Sequence, residues 1–193
     1  MDLSQRILDF WFGPPESPDY GKHRTVWFEA DDAFDAAVTE QFREDFDRAL
    51  RGELDNMAEE PAGCLALIIL LDQFSRNMFR GSAQSFSADE KARALARGAV
   101  EQGLDQLLPR FQRVFVYLPF EHSEAIADQN LSVVLFEALG DEQSLDYAVR
   151  HREIIARFGR FPHRNEILGR ESTPEEAAFL QEPGSSFGGK NDG

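Results

Sequence analysis

Only one cysteine, Cys64, occurs in the 193 residues, so no internal disulfide and no multi-cysteine zinc site can form. Long apolar stretches are missing too. The longest, Cys64 to Leu71, falls far short of the ~20 residues a membrane-spanning helix needs. The opening Met1-Asp2-Leu3-Ser4-Gln5-Arg6 lacks a basic region followed by an apolar one, so no signal peptide is read. Positive charge is scarce: 20 Lys and Arg face 35 Asp and Glu, a net charge of −15. Such a chain repels a phosphate backbone at long range, which argues against a general nucleic-acid binder. Gly-x-Ser-x-Gly, a Walker loop and His-Glu-x-x-His are all absent. These absences point to a cytoplasmic protein whose partner is neither membrane nor nucleic acid.

What is present is helical. Hydrophobic residues make up 42% and charged residues 28%, the balance of a globular protein. Apolar residues at helical spacing predict helices over about 3–12, 31–51, 61–79, 87–103, 109–118, 119–139 and 142–158, with a short one after Thr173. Ser87-Ala88-Asp89-Glu90 reads as a capping box, and Pro119 as a break between two helices. Thr173-Pro174-Glu175-Glu176 combines an N-cap, a proline in the first turn and a glutamate at the third position. Short loops between helices imply antiparallel helical hairpins. The expectation is one all-α domain over 1–182, seven or eight helices, and a disordered tail over 183–193 rich in Gly and Ser.

Polar residues sit where apolar ones are expected. Cys64–Leu71 is apolar on every face, the mark of a helix buried all round, and this makes Cys64 an inert core residue. In the next turns Asp72, Gln73, Arg76, Asn77 and Arg80 fall within an arc of roughly 140° at helical spacing. Leu65 and Ile69 share that arc one to two turns earlier, so the polar stripe continues a covered face. A second set follows Pro119: Glu121, Glu124 and Asp128 on one side, His122 and Gln129 on a neighbouring line. A third is basic, with six arginines against Glu153 and Glu166 between 150 and 170, whereas residues 29–60 hold twelve acids and three arginines. Arginine without lysine suits bidentate contacts with carboxylate or phosphate, and buried ion pairs equally.

Several of these segments resemble one family. Leu71-Asp-Gln-Phe-Ser-Arg-Asn-Met-Phe-Arg-Gly81, Leu118-Pro-Phe-Glu-His-Ser-Glu124 with Asp128-Gln129, and Phe158-Gly-Arg-Phe-Pro-His-Arg-Asn165 carry the resemblance. Ile7-Leu8-Asp9-Phe10-Trp11-Phe12 and Leu168-Gly-Arg-Glu-Ser-Thr-Pro-Glu-Glu176 extend it over about 7–182. The family is the bacterial one catalogued as domain of unknown function 924. The resemblance implies an all-helical, tetratricopeptide-like array of antiparallel hairpins and brings no activity with it, while a 34-residue tetratricopeptide consensus is absent from the chain. The family's polar positions correspond here to Asp72, Gln73, Arg76, Asn77, Arg80, Glu121, His122, Glu124, Asp128, Gln129, Arg160, His163, Arg164 and Asn165.

Three function classes fit these residues. In a binding module, Asp72, Gln73, Arg76, Asn77, Arg80, Asp128, Gln129, Arg160, His163, Arg164 and Asn165 line a cleft for a small anionic molecule or an acidic peptide. In a hydrolase or transferase on an anionic substrate, His122 with Glu121 or Glu124 serves as acid and base. In an interaction protein with a protein partner, the same charges are staples between helices. His122, His151 and His163 lack metal-type spacing, so neither metal nor cofactor is expected.

Overall fold

A computed structural model describes residues 2–185, and every regular element among them is helical. The α-helices are α1 (Leu3–Phe12), α2 (Asp32–Leu50), α3 (Pro61–Ile68), α4 (Phe74–Met78), α5 (Asp89–Glu101), α6 (Arg110–Glu121), α7 (Ile126–Leu139), α8 (Glu142–Phe158) and α9 (Pro174–Phe179). A π-helical turn, Ile69–Gln73, joins α3 to α4, so Pro61–Met78 is one rod and the helical rods number eight among the described residues. That is the all-α class the periodicity implies.

The rod is the centre of the molecule. Gly63 through Ser75 are all buried, as an all-round apolar sequence requires. Around it pack α1, α2, α5 and α6, and α7 and α8 follow on from α6. Helix-on-next-helix packing, which a tetratricopeptide-like array needs, holds from α5 to α8; the rod departs from it by touching four partners. Trp11 meets Phe74 and Phe115 with ring centroids 5.6 and 5.5 Å apart, and Phe74 meets Phe42 at 4.9 Å. These rings lock α1, α2, α4 and α6 together. Arg24 and Trp27 then tie the long first loop to the Trp11 carbonyl at the end of α1.

Two boundary expectations change. Pro119 lies inside α6, which runs on to Glu121; the His122 N–H still reaches the Leu118 carbonyl at 2.9 Å. A proline so near the end of a helix removes one hydrogen bond without ending it. The break comes at Ser123–Ala125, where the Gln129 carboxamide donates to the carbonyls of Glu121 and Ser123 at 2.6 and 2.7 Å. Ser87 forms no capping box either: Ala88 is the N-cap residue, and the Ser87 hydroxyl donates to the Gln84 carbonyl at 2.7 Å. The preceding 3₁₀ turn, Ala83–Phe86, supplies that closer acceptor.

The second capping signature forms as read. Thr173 accepts from the Glu176 N–H, and Glu176 accepts from the Thr173 N–H. Thr173→Ala is expected to cost about 1 kcal/mol, a drop in Tm of roughly 2–4 °C by thermal unfolding. Of the tail expected to be disordered, 186–193 lie outside the described residues, while 183–185 turn back on α9 and Ser185 is buried. No helix among the described residues is long and apolar enough to cross a membrane.

Candidate functional site

The end of the rod decides which of its polar residues face which neighbours. A regular α-helix would keep Asp72, Gln73, Arg76, Asn77 and Arg80 on one arc; α4 stops at Met78 and Phe79 leaves the helical conformation at φ −123°, so Arg80 is carried off the line of Arg76. Asn77 and Arg80 turn to α2, where both donate to the Asp35 carboxylate, at 2.7 Å and at 2.6 and 3.0 Å. Asp72, Gln73 and Arg76 turn to α5, α6 and the C-terminal segment.

Asp72 is wholly buried. Its Oδ1 lies 2.8 Å from His122 Nδ1 and 3.2 Å from Arg76 Nη1, and its Oδ2 accepts from Gln73 Nε2 at 2.5 Å. Arg76 also grips Asp89, the first residue of α5, through both terminal nitrogens at 3.0 and 3.2 Å. Arg164 stands on the far side of Asp89, at 3.9 Å, with its guanidinium 4.6 Å from the Phe86 ring and 4.5 Å from the Phe161 ring. The Arg164 side chain is 9% exposed, and its buried Nε–H meets no acceptor among the described residues. Below this layer, His151 Nδ1 lies 2.8 Å from the Tyr147 carbonyl and 3.3 Å from Glu121 Oε1.

The electrostatics follow from burial and from two arginines in one place. Burial opposes ionisation of Asp72, but Arg76 and His122 outweigh it and hold the carboxyl well below the usual range. Glu121 has no such cation. Burial, reinforced by the Asp72 charge, pushes it up to about 8, so it carries a proton at neutral pH. Burial lowers all three imidazoles of the cluster: His122 with help from Arg76, His151 well below its ordinary value, and His163, with help from Arg164, to about 4. Arg164 itself falls to about 10, through burial and then through Arg76.

The structure thus brings together Asp72, Gln73, Arg76, Glu121, His122, His163 and Arg164 of the sequence candidates. It sets the others elsewhere. Asp128 pairs with Arg93 at 3.2 Å and with Arg97, and accepts from Ser123 at 2.7 Å. Gln129 caps α6. Glu124 accepts both terminal nitrogens of Arg170 at 2.7 and 2.9 Å and the Phe161 N–H at 2.8 Å. Arg160 clamps Glu176 at 2.6 and 2.7 Å, and Asn165 bridges Arg170 and Ser172. The Glu124 contacts fasten the 160–176 segment to the turn after α6, and those of Arg160 and Asn165 brace the segment internally.

Asp89, Phe86 and Phe161 are the members sequence reading missed, and His151 entered it only as a metal-ligand candidate. Asp89 was hidden inside the expected capping box, and nothing in the local pattern announces the others. Cys64 is buried and far up in pKa, at about 11, from desolvation, so it stays a thiol in the core. No group of His, Cys, Asp and Glu among the described residues could hold a metal ion.

Comparison with known proteins agrees with this architecture. The model of a family described as "Bacterial protein of unknown function (DUF924)" matches residues 7–184. A solved structure, that of a protein of unknown function from Agrobacterium tumefaciens, is 44% identical, with a TM-score of 0.83 over 93% of this chain and 97% of that one. None of the curated proteins matches the chain.

Proposed function

We propose that this chain, which belongs to the bacterial DUF924 family, binds a small anionic molecule or an acidic peptide terminus between Arg76 and Arg164. The observation that carries the reading is Arg164: a buried guanidinium with one carboxylate at 3.9 Å and an Nε–H without an acceptor among the described residues. A buried charge is costly unless its hydrogen bonds are met, and this one has unused donors. A ligand carboxylate or phosphate would meet them. Arg76 supplies a second cation, Phe86 and Phe161 hold the Arg164 plane, and His163 stands beside it. Asp89 already occupies both arginines, so it competes with any incoming anion.

A purely structural network predicts something different for Asp89. Under the binding reading, Asp89→Asn tightens anion binding by about tenfold, the equivalent of ~1.4 kcal/mol, because the internal competitor loses its charge. Arg164→Gln abolishes the binding. Titration calorimetry and thermal shift with orthophosphate, adipate and a peptide ending in Asp-Glu test both. At about 100 times Kd the anion raises stability by about 2.7 kcal/mol, roughly 5–10 °C for this size. No shift with any of the three, in wild type and Asp89→Asn alike, would leave the arginines as staples and sink the reading.

A further inference from the structure

We infer that His122, positioned by Asp72, is the general base of a hydrolysis that cleaves an ester or amide bond in a carboxylate-bearing substrate. The inference rests on the anion site between Arg76 and Arg164 and adds a reaction to it. Asp72 is charged, fully buried and 2.8 Å from His122 Nδ1, so that nitrogen holds the proton and donates it to the carboxylate. The lone pair is then on Nε2, which makes no hydrogen bond among the described residues. The His122 side chain is 17% exposed, enough to be reached from outside, whereas its partner is sealed at 1%. A carboxylate that fixes the tautomer behind a reachable Nε2 is the geometry of a working base.

The surroundings supply the other parts. Arg76 approaches the same Asp72 oxygen as His122, so its guanidinium is beside the imidazole, where negative charge would develop on a reacting carbonyl. Arg164, across Asp89, takes the substrate carboxylate. The nearby hydroxyls are engaged: Ser75 donates to the Asp72 and Ser85 carbonyls, and Ser85 to the Ser82 carbonyl. With Cys64 a core thiol, water is the nucleophile. Its oxygen bonds to the acyl carbon while its proton passes to His122 Nε2, and the carbonyl electron pair becomes an oxyanion beside Arg76. The oxyanion collapses, the C–O or C–N bond breaks, and the His122 proton goes to the leaving alkoxide or amine. Substrate and water become an acid and an alcohol or amine, with nothing oxidised or reduced. An acyl group fits better than a phosphoryl group, whose loose transition state gains less from a base.

Two further features agree. π turns inside α-helices are frequent at functional sites, and this one contains Asp72, the partner of His122. The charged and titratable groups around His122 are Asp72 on the π turn, Arg76 on α4, Asp89 on α5, Glu121 on α6, His151 on α8, and His163 and Arg164 on the 162–164 turn. Burial and Arg76 outweigh the acids and keep the imidazole neutral at pH 7, the form a base requires.

The test uses the full chain with 4-nitrophenyl hydrogen adipate, which carries a carboxylate, and neutral 4-nitrophenyl hexanoate, followed by nitrophenolate release. The adipate ester is expected to turn over with kcat/KM at least about tenfold above the neutral ester. Its kcat should fall as pH drops into the range where His122 protonates. His122→Gln lowers kcat by about 10²–10⁴ with KM little changed. Arg164→Gln raises KM instead. Asp72→Asn lowers kcat and moves the acid limb to lower pH, because Asp72 is what raises the imidazole; should that variant fail to fold, partly exposed His122 still decides the matter. Absence of turnover in wild type, or a wild-type kcat in His122→Gln, overturns the inference. If adipate still shifts the Tm while no ester is cleaved, the anion site stands and the hydrolysis falls. If neither occurs, both fall.

Discussion

Gly63→Ala is expected to lower stability by about 3 kcal/mol or more, a fall in Tm of roughly 6–12 °C. Gly63 lies in the first turns of α3, and a Cβ placed there would stand 2.2 Å from the Met57 carbonyl oxygen and 3.0 Å from its carbon. Those atoms are backbone, in the 3₁₀ turn Asp55–Glu59, so no rotamer change can relieve the clash. Either that turn or the central rod must move, and the rod is packed on four helices. The same substitution in α5 carries the opposite sign. Gly98 is helical, and its added methyl would meet only the end of Gln102 at 3.6 Å. Gly98→Ala should stabilise by about 0.5–1 kcal/mol through the helix propensity of alanine. Urea unfolding of the two variants side by side checks the pair; equal effects would mean that the close approach at Met57 is not a constraint.

The second large effect is on pH. Glu121 moves from 4.5 unfolded to about 8 folded, so between these values the folded chain keeps a proton that the unfolded chain releases. Stability from this group is complete below pH 4.5 and is lost as pH rises toward 8. The histidines act in the other direction. With His163 at about 4 and His122 and His151 also lowered, the unfolded chain takes up protons below pH 6.5 that the folded chain refuses. Their contribution is complete above 6.5 and is lost as pH falls. Because each tenfold change in proton affinity is worth ~1.4 kcal/mol, three imidazoles outweigh one carboxyl on the acid side. The expected profile is a maximum near pH 6.5, a steep acid limb and a shallower alkaline limb to pH 8. Glu121→Gln, neutral at every pH, should flatten the alkaline limb and leave the acid one. A limb that persists in Glu121→Gln would place the titration on another group.

Local chemistry made much of the fold legible. Pro109 before Phe111, Val114, Phe115 and Leu118 marks the start of α6 despite the strand propensity of Val114–Tyr117, because the apolar spacing is helical. Thr173 and Glu176 form the box their spacing implies, since both bonds of the box lie within one helical turn. Where a competing partner lies outside the local window, the reading fails. The Ser87 hydroxyl went to the Gln84 carbonyl, and Pro119 ended nothing, because the end of α6 is set by Gln129 on the next helix.

The candidate site divides along the same line. Composition and spacing determined that a helix apolar on every face runs into a polar stripe, so that Asp72 and Arg76 had to be buried and paired. Which residues pair was not local. Arg76 and Arg80 have the same side chain, four positions apart, yet one grips Asp89 beside His122 and the other grips Asp35 on α2. The end of α4 at Met78, which falls between them, and the packing of α2 and α5 separate them. Arg160, Arg164 and Arg170 read alike in sequence; Glu176 and Glu124 engage the first and last, and of these three only Arg164 keeps a buried donor without an acceptor among the described residues. The sequence determined by itself the helical class, the buried rod and the kinds of side chain that charge must meet, because propensity and periodicity act over a few turns. The tertiary structure alone decided which charges cancel and which keep an unmet donor, because a buried ion pair depends on distances between segments far apart in the chain.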